Sequence, residues 1–517
     1  MTAAGRREWG LIAAYAILTF FAYPPFNLLF PSFLCLVPLV VLFADAAAGP
    51  DPVRQAARVG FRAGLAAEAL LIYWLVAALW HFTPLSALGY VATVVIVGWY
   101  TAAQGMAIVL VWRRVPAAPR WLVVASFWTT QEWIIGHFPD VQFPWLGLGF
   151  SLTGHPVLVQ WADIAGARGV GVWLAACNAA LALALLSPRR RWLLVAGVAA
   201  SVVLAWGYGA WRMRTLPVRT AGTVALIQPN ISFREKWVES ESARIVGGML
   251  TQTDSAVAIA RPDLVIWPEA AVPAPFQFRP EYAQAISDLI GRTRTPIIVG
   301  GLNYVVADGA GQRGTYYNAA FYFDSTGAWQ PYPVYAKYYL VPVVERVPFI
   351  PPSWLSGLRF FGAFGRGQTR PLYPTPVGRA GVVICFESAF EDLSRNYRKN
   401  GADILVNITN DAWYGETTAP SQHAAHLVMR AIETRAGIAR AANSGISEVV
   451  SPLGIPSART RLESRTVVVT RLDTSDVIPL YVRWGDWVAV LILVLSGGLL
   501  GLALLRPVRA AELVPIV

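Results

Sequence analysis

Residues 380–390 read AGVVICFESAF. Five apolar or small residues in succession, Ala380–Ile384, lead into Cys385, and an acid follows at Glu387. A run without alternation between apolar and polar positions belongs to a strand covered on both faces, as in α/β sheets. Similar runs recur as TVALIQPN, DLVIWPEA, TPIIVGGLNY, NAAFYFD, DILVNITND and ISEVVSPLG, all between residues 214 and 483, with helices predicted over Pro280–Arg292 and Ser421–Asn443. We therefore read 214–483 as one globular α/β domain, in which Cys385 stands where a buried strand gives way to a loop.

The rest of the chain is of another kind. Over 517 residues the hydrophobic share is 55% and the charged share 14%, too apolar for an ordinary soluble protein. Apolar stretches run from Trp9 to Tyr23, Ser32 to Phe43, Phe61 to Trp80, Leu88 to Trp112, Trp121 to Ile135, Val170 to Leu186, Trp192 to Trp211 and Trp487 to Leu505. Several reach the roughly 20 residues that a spanning helix needs. The first two are short and lie among prolines, which suits a kinked or re-entrant pair as well as two crossings. Arginines gather in alternate loops, at Arg54, Arg58 and Arg62, at Arg113, Arg114 and Arg120, and at Arg189, Arg190 and Arg191, whereas HFTPLSAL and GHFPDVQFPWLGLGFSLTGH hold no lysine or arginine. By the positive-inside rule the arginine loops are cytoplasmic, together with Arg6 and Arg7. No small-residue cleavage site follows the first apolar run, so it is read as a retained helix. The expectation is a polytopic α-helical membrane domain of seven transmembrane helices over 1–213, an extracytoplasmic α/β domain over 214–483, and an eighth helix with a cytoplasmic tail over 484–517.

The formal charge of +11 comes without a stripe of basic residues interleaved with aromatics in a polar segment, which argues against nucleic acid and assigns the arginines to helix flanks. Of 42 basic residues only Lys236, Lys337 and Lys399 are lysines, so a lysine at a chemical site stands out. Cys35 and Cys177 lie in apolar runs, and no Cys/His spacing suggests a metal. His423 and His426 share one helix face with no third ligand nearby, and are read as structural. Glu132 and Asp163 are isolated charges in apolar stretches, too few for a transport pathway.

Three segments end strands in reactive side chains. In LVIWPEAAVP, two prolines and a tryptophan fix the placement of Glu269, which suits a general base better than a surface turn. In VYAKYYLVPVVERVPF, Lys337 is either a tyrosine-stacked or snorkelling cation, or a fixed charge facing a developing oxyanion, with Glu345 as the acid that orients it. At Cys385 the strand-to-loop placement exposes a nucleophile whose following backbone N–H faces the same space, as part of an oxyanion hole. The plainer alternative is a buried structural cysteine. Outside the cytoplasm, however, an idle thiol invites oxidation.

The order Glu, Lys, Cys at three strand ends resembles the nitrilase, or carbon–nitrogen hydrolase, superfamily, over roughly Thr223 to Leu453. With FPWLGLGFS, WPEAAVP, AKYYLVPVVERVPF, ICFES and TNDAWYG in one chain, and seven helices before the domain and one after, the whole resembles the apolipoprotein N-acyltransferase family. That resemblance implies an α-β-β-α sandwich with Glu269, Lys337 and Cys385 as base, oxyanion stabiliser and acyl-carrying nucleophile. It implies supporting roles for Trp237, Glu345, Phe386, Glu387, Glu433 and Trp145, with Phe386 where the family usually has tyrosine. FPWLGLGFS would either line the way to the site or form part of an interfacial tryptophan belt. The implied partners are a phospholipid acyl donor and a diacylglyceryl apolipoprotein acceptor, in a bacterial inner membrane, with no cofactor or metal and a monomeric chain. A membrane-tethered amidase acting on a small amide needs the same three residues, and a non-catalytic lipoprotein-binding protein would leave Cys385 freely replaceable.

Overall fold

The computed structural model describes residues 2–80, 86–306, 314–350 and 364–506. Most of the loop HFTPLSAL, and the expected cytoplasmic tail beyond residue 506, lie outside the described residues. The chain divides into two compact units, one of residues 1–137, 143–215 and 484–517, the other of residues 138–142 and 216–483.

The first unit is helical. The stretch expected over Ser32–Phe43 is interrupted at Cys35 and Leu36, giving Leu29–Leu34 and Val37–Ala48, with Pro38 in the first turn of the second piece, where its missing N–H is tolerated. Phe61–Trp80 is found as Pro52–Leu71 and Trp74–Trp80, bent by 57°. Among the described residues five helical segments are long and apolar enough to cross a membrane, and a sixth if that bent pair is one span. The other two expected spans fall in Ala3–Ala22 and Arg120–His137, diluted by Arg6, Arg7 and Glu8 and by Gln131 and Glu132 respectively. The two isolated charges are closed locally: Glu132 accepts from Trp128 Nε1 and Leu148 N, each at 2.7 Å, and Asp163 from Tyr208 at 2.9 Å and Arg212 at 3.0 Å.

The second unit is an α-β-β-α sandwich. One sheet runs in the order Thr466–Thr474, Arg219–Gln228, Leu264–Ile266, Ile297–Val305, Thr315–Phe323, Tyr335–Ala336, with Val272–Pro275 paired beside Ile297–Val305. The other runs Pro456–Ser457, Glu448–Val450, Gly437–Ala442, Ile404–Thr409, Gly378–Ile384, Leu372–Thr375. The sheets face each other through Arg219–Gln228 against Gly437–Ala442, and helices Ser242–Ala260 and Ala419–Thr434 cover opposite outer faces. Ile404–Thr409 and Gly437–Ala442 are buried at every residue, which is why such strands read as unbroken runs. One expectation is corrected here. The helix predicted over Ser421–Asn443 stops at Thr434, because Arg435 turns left-handed at φ 54° and Gly437 then opens a strand parallel to Ile404–Thr409.

Gly378–Ile384 and Ile404–Thr409 are parallel neighbours in one sheet, and the residues after Ile404–Thr409 meet those after Leu264–Ile266 of the other sheet, where the Asn410 N–H donates to Glu269; α/β folds place their sites at such carboxyl ends. The approach depends on Gly300: a Cβ there would overlap the Pro268 carbonyl and sit 2.8 Å from the Glu269 Cα. Gly300→Ala is therefore expected to cost about 1–3 kcal/mol through overpacking, read as a lowered Tm with displacement of Glu269. An unchanged Tm would show that the strand ends are not held this tightly.

Candidate active site

Glu269 follows the short strand Leu264–Ile266 and is almost completely buried. Its Oε1 accepts from Asn318 Nδ2 at 2.6 Å and lies 3.5 Å from Lys337 Nζ, while its Oε2 accepts from the backbone N–H of Asn410 at 2.8 Å. One carboxylate thus joins residues from both sheets. The next residue, Ala270, has φ 46°, a left-handed conformation unusual for a side chain with Cβ.

Lys337, just past the edge strand Tyr335–Ala336, is 1% exposed. Its ammonium donates to Glu345 Oε1 at 2.9 Å, and Glu345 is anchored in turn by Asn318 Nδ2 at 3.1 Å and Val341 N at 2.8 Å. Burial alone would strip a proton from Lys337, but the charges of Glu345, Glu269 and Cys385 outweigh it and raise its pKa above the ordinary lysine value. Of the two alternatives for this side chain, a fixed internal cation fits and a snorkelling surface group does not.

Cys385 ends the strand Gly378–Ile384 at φ 53°, a left-handed conformation that costs a non-glycine residue about 1–2 kcal/mol. Its carbonyl accepts from His423 Nε2 at 2.9 Å, the other ring nitrogen lies 2.9 Å from Asp411, and Arg440 donates to Asp411 at 2.7 Å. These three side chains are buried. Burial would raise the Asp411 pKa, yet Arg440 and His423 hold it below the usual carboxylate range. The thiol itself is buried, not exposed as the strand-to-loop reading suggested. Burial first, and the Glu269 charge second, push it well above the ordinary cysteine value, with Lys337 acting in the opposite sense. A thiol in this setting is neutral at rest and needs a base at hand when it reacts.

The supporting residues separate into those that touch this cluster and those that do not. Glu387 is wholly buried and gathers four donors: Tyr335 Oη at 2.7 Å, Ile384 N and Tyr338 N at 2.6 Å, and Tyr339 N at 3.0 Å. It ties the loop after Lys337 to the strand before Cys385. Burial pushes its pKa up to about 7 against those bonds and the Lys337 charge. Phe386 packs edge-on against Phe390 at 5.1 Å between ring centres. Glu433 pairs with Arg430 at 2.8 Å, and Arg430 donates to the Ala389 carbonyl at 3.2 Å, so Glu433 acts at one remove from the cysteine turn. Trp237 is half-buried at the end of the helix Phe233–Lys236. Trp145 belongs to the helical unit, buried against Trp74 and Phe143.

Sequence reasoning missed Asn318, Asn410 and Lys236. Lys236 is 2% exposed and donates to the Glu269 carbonyl at 2.7 Å; burial lowers its pKa to about 8, while Glu269 and Cys385 pull it upward. Its rarity as a lysine was the available signal. The electrostatics can be read in the alkylation of Cys385 by iodoacetamide, followed by peptide mass against pH. Glu269→Gln removes a negative charge and is expected to move the midpoint down, and Lys337→Met removes a positive one and is expected to move it up, each changing the rate at pH 8 by about tenfold or more. Equal midpoints would mean that these charges do not act on the thiol.

A carbon–nitrogen hydrolase family model matches residues 223–481, and a model of the apolipoprotein N-acyltransferase N-terminal domain matches residues 15–180. Among similar proteins, the apolipoprotein N-acyltransferase of Geobacter metallireducens is 30% identical over 501 residues, covering 93% of this chain and 92% of that one. That of Brucella suis is 30% identical over 515 residues, covering 94% and 93%. That of Chlorobaculum tepidum is 28% identical over 468 residues, covering 84% and 86%.

Proposed function

The chain belongs to the apolipoprotein N-acyltransferase family, and on that premise we propose that it moves a fatty acyl chain from a phospholipid, through a thioester on Cys385, to the α-amino group of an amino-terminal diacylglyceryl-cysteine. The observation that carries the chemistry is the buried clustering of a lysine with two acids, Glu269 and Glu345, at strand ends of the same unit that holds the buried thiol of Cys385.

In the first half-reaction Glu269 accepts the Cys385 proton as sulfur attacks the ester carbonyl. The oxyanion is held by the Lys337 ammonium and the Phe386 N–H, and collapse expels the lysophospholipid alkoxide, which takes the proton back from Glu269. In the second, the α-amino group attacks the thioester. With a pKa of about 8 an appreciable fraction is neutral near pH 7. Glu269 takes its proton and returns it to the departing Cys385 sulfur, leaving an amide. Glu345 and Asn318 position Lys337 and Glu269, and Glu387 fixes the loop that carries Lys337.

A lipid donor suits the surface beside this cluster, because Val343, Phe349 and Ile350, in the turn around Glu345, are exposed apolar residues. It also suits a chain that stays in the membrane: taking a 16-carbon chain into water costs on the order of 12 kcal/mol. The same reading has eight crossings of a bacterial inner membrane, both termini cytoplasmic, and the α/β unit on the periplasmic side, supported by the arginine-bearing loops. The amidase alternative explains the cluster equally well and leaves the helical half without a role.

Intact-mass analysis after incubation with phospholipid tests this. The wild type is expected to gain one hydroxylamine-labile acyl group, absent from Cys385→Ser, that a diacylated lipopeptide with a free amino terminus removes as an amide. Discharge by water alone, at the same rate with and without lipopeptide, would favour the amidase.

A further inference from the structure

Between Arg346 and Glu387 the chain has no aspartate or glutamate, yet it carries Arg359, Arg366, Arg370 and Arg379. Two of these stand beside the cluster. The backbone N–H of Phe364 donates to the Glu345 carbonyl at 3.1 Å and that of Gly367 to the Lys337 carbonyl at 2.8 Å, so the segment bearing Arg366 is stitched to the two residues that form the buried ion pair. The guanidinium carbons of Arg366 and Arg370 lie 4.2 Å and 4.4 Å from the centre of the Tyr338 ring, immediately after Lys337. Among the described residues neither guanidinium has a carboxylate within 4.0 Å, and Arg370 Nε is a buried donor with no acceptor. Asp392 feels the Arg370 charge, but its own bond is with Tyr339, at 2.8 Å.

Two guanidinium groups drawn to one ring repel each other, and a buried N–H without an acceptor is costly. Stacking on an aromatic ring engages the face of a guanidinium and leaves its in-plane N–H donors unspent. Those donors match the paired oxygens of a phosphate, which accept two parallel bonds. We propose that Arg366 and Arg370, arranged on Tyr338, form a phosphodiester subsite that seats the headgroup phosphate of the acyl donor beside Lys337. The inference rests on the donor being a phospholipid and adds where its phosphate is held. Tyr338 is a positioning residue in this scheme, supplying the surface on which the two cations converge. A phosphate bound here would also orient the glycerol ester relative to Cys385, so that the subsite selects the donor and not only retains it.

The test uses the full-length protein in a neutral detergent, with phosphatidylethanolamine as the only phosphate present, and compares thioester formation from it with that from 4-nitrophenyl palmitate, an acyl donor without phosphate. The readout is the ratio of kcat/KM for the two donors. Arg366→Gln, at an exposed position that does not endanger folding, and Arg370→Gln are each expected to lower that ratio by about tenfold or more, through KM, with Arg370→Lys intermediate. Because both donors are measured on the same preparation, a general loss of active protein cancels. A ratio that stays constant in both glutamine variants overturns the proposal, including the case in which these arginines hold only a bystander lipid or free phosphate. A wild type acylated by 4-nitrophenyl palmitate but never by phospholipid contradicts the donor assignment itself, and the subsite falls with it.

Discussion

A lysine ammonium removed from water between two carboxylates is the interaction on which the rest of the α/β unit is arranged. Lys337 lies 2.9 Å from Glu345 and 3.5 Å from Glu269, and all three side chains are buried. Such a cluster is not a source of stability in itself, since desolvating the charges offsets most of their attraction. Removing one member, however, strands the others, at about 3–5 kcal/mol. The surrounding polar groups follow from that constraint. Asn318 bridges the two acids, the Asn410 N–H caps the remaining oxygen of Glu269, and the carbonyl of the same glutamate receives Lys236. The cost of the cluster makes sense where charge must develop on a substrate in a dry site, because preorganised charges act most strongly there.

The cysteine is governed by a separate network. Its left-handed backbone is braced from below by His423, Asp411 and Arg440, and its neighbour Glu387 draws the Lys337 loop against the same strand. Cys385 and Lys337 are thus braced by largely different side chains, with Glu387 shared between them. Burial and the nearby Glu269 charge both disfavour the thiolate, which suits the proposed reaction, in which the thiol loses its proton only as it attacks.

Much of this was legible in the sequence wherever a reactive side chain followed an unbroken apolar run. Glu269, Lys337, Cys385 and Glu387 lie within a few residues of strand ends, and strands buried on both faces leave a strong pattern; Glu345 lies further along the loop that follows Lys337. Asn318 and Asn410 were not legible, since one sits within a strand and the other contributes only its backbone N–H. Neither role has a compositional sign. Lys236, the residue before Trp237, donates to the Glu269 carbonyl, and nothing in its local pattern marks that contact. The helix expected over Ser421–Asn443 ends at Thr434, although RAGIARAA has good helical composition. Tertiary pairing with Ile404–Thr409 overrode that propensity. In the helical half, the break at Cys35–Leu36 and the 57° bend near Ile72 are local features that hydropathy averages away.

The measurement that bears most directly on this account is the titration of the two interior lysines. With only three lysines in the chain, ¹³Cε-lysine labelling of the full-length protein gives three signals, assignable by single substitutions. The account predicts that Lys337 keeps its proton beyond the ordinary lysine value of 10.5, while Lys236 loses its own near 8. Deprotonation of Lys337 at or below the pH at which Lys236 titrates would contradict it, because the cation meant to hold the oxyanion would then be absent when the thiol reacts.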